Sequence, residues 1–302
     1  MGVRLSASER SFIEAGISKG IRGDGRALQS LRSLRLTLGE LPGAHGSARV
    51  SLGGGLTEVL ATVKAELVNL AEGCVAGVEC SAHVLAGGGE GGDAGDARRE
   101  AECGGELAAA LQAALGAPGV VPGAALEVVA QRWGWRLAVD ALVVASDGAV
   151  VEAALLAAHA ALRCARLPCL RVARGSEAAA AAAAAGAAAG GAPVELELND
   201  DPGAARALPL EATLPLCVSL HAVRGVALLD ASGEEEACAA SRVRVGLNRG
   251  GDVCFLDSSG REGAPPADLG VALGVAKAVI PALFAQLDAA LEAPLEGLVV
   301  AE

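Results

Sequence analysis

Apolar residues recur along this chain with two periods, and each period marks a kind of element. In LSASERSFIEAGISKG, serines precede a helical spacing of apolar side chains and a glycine follows it, which predicts a helix over residues 8–19. LRSLRLTLGEL alternates apolar with charged or polar positions, as a strand with one wet face does, and PGAHG turns it. SARVSLGGGLTEVLATVKAELV then reads as two further strands. Val59, Ala61, Val63, Ala65 and Leu67 fall on one side, Lys64 and Glu66 on the other, so the three strands form an antiparallel meander.

GGGEGGDAG, residues 87–95, has too few side chains to build a core and is expected as a mobile loop. A helix follows over about 97–115, weakened at its centre by Gly104 and Gly105. ALEVVAQRWGWRLAVDALVVA contributes two strands meeting near Gly134. SDGAVVEAALLAAHAAL, residues 146–162, then turns at Asp-Gly and opens a long helix. This is an α+β order with helices gathered on one face of a sheet. Beyond an alanine-rich run at 176–192, PVELEL, LPLCVSLHAV, GVALLDAS, SRVRVGLN and DVCFLD read as strands, with NRGGD as a hairpin turn. A final helix runs from about Ala267 to Leu291, broken or bent near Pro281. The chain divides into an N-terminal helix with a basic segment (1–27), a sheet-plus-helix subdomain (28–172), a low-complexity linker (173–193) and a second, similar subdomain (194–302).

Composition narrows the function classes. With 52% hydrophobic residues the chain builds a substantial core, and with three Phe, two Trp and no Tyr that core is made of Leu, Val and Ala. Base stacking is excluded as the main contact with nucleic acid, because stacking needs aromatic faces. The formal net charge is −12. Residues 1–36 carry seven basic against three acidic side chains, which gives +4 there and leaves −16 on the rest. Eight cysteines form no C-x-x-C pair and read as reduced core residues of an intracellular protein. His45, His83, His159 and His221 show no ligand spacing, and His159 reads as a packed helix residue. The chain begins with a charged amphipathic segment rather than an apolar leader, and no membrane span is expected; the polyalanine run has too little hydrophobicity per residue.

The Asp147–Gly148 turn is the candidate site. A strand that turns into a helix leaves backbone N–H groups unpaired, and such an end often receives a phosphate. IRGDGRALQSLRSLRL, GSARVSLGGGLTEVLATVKAEL and SDGAVVEAALLAAHAAL occur in fixed order, and LPLCVSLHAVRGVALLDASGEEEACAASRVRVGLN continues the pattern. Together they resemble the RNase PH-like family. With the N-terminal LSASERSFIEAGI they resemble the non-catalytic exosome ring subunits within it. The likeness covers most of the chain apart from the glycine loop and the alanine linker. It implies an α+β, RNase PH-like fold (ribosomal protein S5 domain 2-like) of two similar sheet-plus-helix subdomains.

Active members of that family degrade RNA from its 3′ end by phosphorolysis, with a phosphate pocket and carboxylates that hold a divalent cation or donate a proton. Their turn resembles Asp-Gly-Gly-Thr-Arg, whose Thr and Arg grip the phosphate; here it reads Asp147, Gly148, Ala149, Val150, Val151. Glu152 adds a repelling charge in the first turn of the helix. Their carboxylate stretch resembles Leu-Asp-x-x-x-x-Glu-Asp with a further Asp six residues on. In that register stand Leu229, Asp230, Glu235 and Glu236, with Arg242 on the later Asp. An arginine neither ligates Mg²⁺ nor acts as an acid near neutral pH. Val150, Val151, Glu236 and Arg242 are therefore degenerate catalytic positions, and Asp230, Glu234, Glu235 and Glu236 read as a solvated acidic turn.

The resemblance implies a non-enzymatic subunit of the exosome core ring, without cofactor or metal, that helps form the channel through which single-stranded RNA is threaded. Its implied partners are other RNase PH-like ring subunits, cap subunits with RNA-binding folds and a hydrolytic nuclease, with no membrane. The implied location is nucleus, nucleolus and cytoplasm. Candidates for RNA contact are Arg22, Arg26, Arg98 and Arg99. For Arg22, Asp24 and Arg26 the competing reading is a salt-bridged turn that locks the helix to the sheet. Two alternatives stand beside this: an active phosphate-dependent 3′-to-5′ exoribonuclease using the glycine loop with Arg98 and Arg99, and a different non-catalytic subunit type of the same ring.

Overall fold

The computed structural model describes residues 3–85, 94–173, 195–199, 201–260 and 263–292. Helix α1 (Ala7–Ser18) starts where the serines predict. The Ser6 hydroxyl accepts the Glu9 N–H and the Glu9 carboxylate accepts the Ser6 N–H, satisfying two otherwise orphaned donors. Its Ile17 packs with Val223, Leu228 and Cys238 in a small core of its own, so α1 rests on the C-terminal half of the molecule. Residues 19–33 then carry the chain across to strand β1 (Leu34–Leu38).

β1, β2 (Gly46–Leu52) and β3 (Thr57–Asn69) form the expected antiparallel meander, with Leu36 opposite Val50 and Val50 opposite Val59. β3 continues antiparallel onto β6 (Trp133–Ala145) along nearly its whole length. The next neighbour is a strand that the sequence pattern does not single out. Strand β4 (Gly77–Val84) runs parallel to β6, giving the order β1-β2-β3-β6-β4. A parallel pair needs a long crossover, which helix α2 (Ala94–Leu115) supplies. Ala94 and Gly95, expected in the glycine loop, belong to this helix; residues 86–93 and the alanine-rich run at 176–192 lie outside the described residues. Gly104 does not break α2. A Cβ there would lie 2.8 Å from the Ala82 carbonyl oxygen, so its absence lets the helix sit close on β4. After a short helix α3 (Gly123–Leu126), strand β5 (Glu127–Val129) reverses at Gln131, and Gly134 lies inside β6 opposite Val68 rather than at the turn.

Helix α4 (Val150–Cys164) buries every residue from Ala153 to Leu162, His159 included. Alanine and leucine around its whole circumference permit this. One side packs on β2 and β3, the other on β11 (Leu216–Val223). Two small antiparallel pairs flank it: β7 (Arg166–Leu167) with β10 (Arg206–Ala207), and β8 (Leu170–Val172) with β9 (Leu196–Leu198). The second sheet is antiparallel, ordered β12 (Val226–Leu229), β11, β13 (Ser241–Leu247), β14 (Val253–Gly260), with helix α5 (Gly233–Cys238) between β12 and β13. Helix α6 (Pro266–Glu292) lies on β11 and β13 and is unbroken. Pro281 occupies its exposed side, where water can take the carbonyl that proline leaves without a donor. Among the described residues α6 is the one helix long and apolar enough to cross a membrane, and its Ala272, Ala276, Ile280, Phe284, Leu287 and Ala290 are buried in the core. That core is continuous from one sheet to the other.

Candidate functional site

The turn before α4 and the turn after β12 meet between the two sheets. At the first, Gly148 has φ 78° and Ala149 φ 52°, and a Cβ on Gly148 would collide with the Ala231 carbonyl oxygen. At the second, Asp230 has φ 50°. Strained backbone of this kind persists only where its surroundings hold it.

Arginines do the holding. Arg32 donates from Nε and Nη2 to the Asp230 carboxylate, with Nη2 to Oδ1 at 2.8 Å, and from Nη1 to the Asp147 carbonyl at 2.8 Å. Burial pulls its pKa down, but the bonds and charge of Asp230, with Asp147 and Glu236, outweigh that and leave it raised. The wholly buried Thr57 donates its hydroxyl to the Gly148 carbonyl at 2.8 Å and accepts the Asp147 N–H at 3.0 Å. The Asp147 carboxylate accepts the Gly233 N–H at 3.0 Å.

Arg22 is a correction to the sequence expectation. Its side chain has no exposed surface, and it donates to both oxygens of Glu235 and to the Leu229 and Asp230 carbonyls. It has nothing left for RNA. Arg26 is 16% exposed at its side chain and donates to Asp24, the Ser30 carbonyl, and the carbonyl and carboxylate of Asp230. Both therefore lock the segment before β1 to the second sheet. Arg98 is 82% exposed and bonds Glu102 one helical turn on; Arg99 is also exposed. The acidic turn is likewise not solvated: Asp230 and Glu235 are buried, and only Glu234 is fully exposed. Ser232 and Glu235 form a capping box that starts α5.

The four positions that the family resemblance reads as degenerate do come together. Val150, Val151, Glu236 and Arg242 line one cleft of about 140 Å³ with Ser146, Glu152 and Arg244. Arg242 donates to the Ser259 hydroxyl at 2.9 Å and Arg244 to Asp257 at 2.8 Å. Burial, then the neighbouring Arg244, lowers the Arg242 pKa. Burial pushes the Glu152 carboxyl up to about 7 against the pull of Arg244, so the charge expected to repel an anion is only part present at neutral pH. The residues do not fit the divalent cation of active family members. Asp230 is bonded by Arg26 and Arg32, Glu235 by Arg22 and the Ser232 N–H, Glu236 by the Ala149 N–H, and an arginine stands at the further carboxylate position.

Sequence reasoning missed Arg32 and Thr57. Arg32 sits in the alternating LRSLRL run, where its charge reads as one more wet-face residue.

Comparisons with known proteins agree with this architecture. The model of the 3′ exoribonuclease family, domain 1 (RNase PH), matches residues 30–168. A Dictyostelium discoideum protein named for RRP42 of the exosome complex is 25% identical over 88% of this chain and 91% of its own length. Exosome complex component RRP45A of Arabidopsis thaliana is 27% identical over 86% of this chain and 78% of its own. Among solved structures, an archaeal exosome core chain superposes with a TM-score of 0.64 at 19% identity, covering 93% of this chain and 96% of that one. A chain of the Archaeoglobus fulgidus exosome with RNA bound to the active site gives 0.63 at 21% identity, covering 89% and 93%. Residues 30–168 of this chain are thus similar to the RNase PH domain of the 3′ exoribonuclease family, and over most of its length its fold resembles that of archaeal exosome chains.

Proposed function

We propose that this chain is a non-catalytic subunit of an exosome core ring, supporting 3′-to-5′ RNA processing by forming wall and interface. Relatives named as exosome components along most of the chain support the ring assignment. One observation carries the non-catalytic half. Every carboxylate aligned with a catalytic acid is already bonded to this chain's own arginines or backbone, and the last of them is an arginine. The oxygens of Asp230 and Glu235 are taken up by arginines and backbone N–H groups, and Glu236, with only Oε1 engaged, is left without a free carboxylate partner to share Mg²⁺. The partners that follow are other RNase PH-like subunits, with cap subunits, a hydrolytic nuclease and threaded single-stranded RNA in the assembled particle. Nucleus, nucleolus and cytoplasm are the proposed locations.

The test has two arms. Labelled single-stranded RNA incubated with the purified chain, Mg²⁺ and inorganic phosphate is expected to release no nucleoside diphosphates; phosphate-dependent release would overturn the non-catalytic assignment. Co-expression with RNase PH-like ring subunits is expected to give one complex on sizing, and a chain that elutes alone would overturn the ring assignment.

A further inference from the structure

Glu236 belongs to the acidic turn after β12, yet its carboxylate reaches the start of α4. Oε1 accepts the Ala149 N–H at 2.9 Å, at the N-terminus of a 15-residue helix whose first residue brings no side-chain cap. Backbone N–H groups and the positive end of the dipole draw negative charge to such a place. The surroundings are arranged for an anion as well. His221 Nε2 lies 3.7 Å from the same oxygen, the ring is 2% exposed, and neither of its nitrogens has a hydrogen-bond partner among the described residues. Arg242 lines the same cleft, and its Nε is also buried without a partner among them. Buried polar atoms left unpaired are costly and ask for an explanation.

We propose that the Glu236 carboxylate is a built-in anion, occupying from within the place an oxyanion would take at the start of α4 and closing the cleft to phosphate. The proposal rests on the non-catalytic reading and deepens it, because a backbone N–H that would meet an anion at the start of α4 is then already taken. Burial, reinforced by Arg242 and Arg244, lowers the His221 pKa to about 3, so the ring faces Glu236 as a neutral group. The cleft would not be empty of acid once Glu236 were removed, since Glu152 also lines it. A small, singly charged anion is therefore a better probe than phosphate dianion.

Thermal unfolding of the full chain tests this in chloride and in formate or inorganic phosphate at matched ionic strength. Glu236→Ala is expected to melt about 2 °C below wild type in chloride, as for a lost helix cap, and to regain at least half of that in formate. Wild type and Glu234→Ala, which alters an exposed carboxylate, are expected to respond alike and weakly to all three salts. Absence of formate recovery, or an equal gain by wild type, would overturn the proposal. Should Glu236→Ala not fold, the Ala149 amide proton signal decides: it is expected to move upfield in Glu236→Gln, where a neutral amide replaces the carboxylate that accepts it. An Ala149 signal indifferent to that substitution would also overturn it. RNA phosphorolysis by the wild-type chain is the separate result that would remove the underlying non-catalytic reading, so the two failures are told apart.

Discussion

The Arg22 guanidinium donates to both carboxylate oxygens of Glu235, at 3.0 and 2.6 Å, and ties the segment before β1 to a turn 213 positions further along the chain. Breaking a buried pair from one side strands a charge, which costs about 3–5 kcal/mol. Arg22→Met should lose that much in urea unfolding. Arg22→Met with Glu235→Leu should recover part of it, though not the Ser232 N–H bond that Glu235 also accepts. A loss under about 1 kcal/mol for the single variant would mean the pair is not buried in solution.

A second prediction concerns pH. Glu152 has its folded pKa raised to about 7 by burial, above its ordinary value. The folded state therefore holds this proton more tightly than the unfolded chain does. Its contribution is full below about 4.5 and is lost as pH rises through about 7. Glu152→Gln should be more stable than wild type at pH 8, by roughly 1–3 kcal/mol, and should match it near pH 4. His159, held neutral by burial at a pKa of about 4, acts in the opposite sense: its contribution is present above about 6.5 and lost as pH falls through 4. Urea midpoints from pH 4 to 8 check both, and an unchanged wild-type-minus-Glu152→Gln difference across that range would refute the first.

Adjacent glycines in α2 should answer to alanine with opposite signs. Gly105 is exposed with open space around its Cβ position, so Gly105→Ala should stabilise by about 0.5–1 kcal/mol. Gly104 faces the Ala82 carbonyl, and Gly104→Ala should destabilise despite the same gain in helix propensity. Equal effects at both positions would show that α2 does not approach β4 so closely.

Supplying the side chains that the proposed reading counts as absent should not create phosphorolysis. Val151→Arg with Arg242→Asp supplies the phosphate-gripping guanidinium and the further carboxylate that the family resemblance implies. Asp230, Glu235 and Glu236 remain bonded to Arg32, Arg22 and the Ala149 N–H. The double variant is expected to stay inactive in phosphorolysis, and diphosphate release would show those bonds to be readily exchanged.

How much of this was legible in the sequence follows the range of the interactions. The capping box of α1, the meander of β1 to β3 and the turn into α4 are set by neighbours a few residues apart, and period and cap residues mark them. The parallel placement of β4 depends on a crossover, and eight residues such as GVECSAHV carry no mark of which neighbour they will join. Arg32 and Asp230 are 198 positions apart, and nothing local in LRSLRL or LLDAS says that one will be buried against the other. The same holds for the acidic turn. A run of glutamates reads as wet until the arginines that cover it are known.

From Ala153 to Leu162, helix α4 gives one side to each sheet and keeps none for solvent. A chain built in two matching halves would ordinarily offer a seam along which they could separate. Here each half, taken without the other, would expose the same hydrophobic cylinder, so neither can be a finished folding unit. Heat should melt both sheets together in one calorimetric transition.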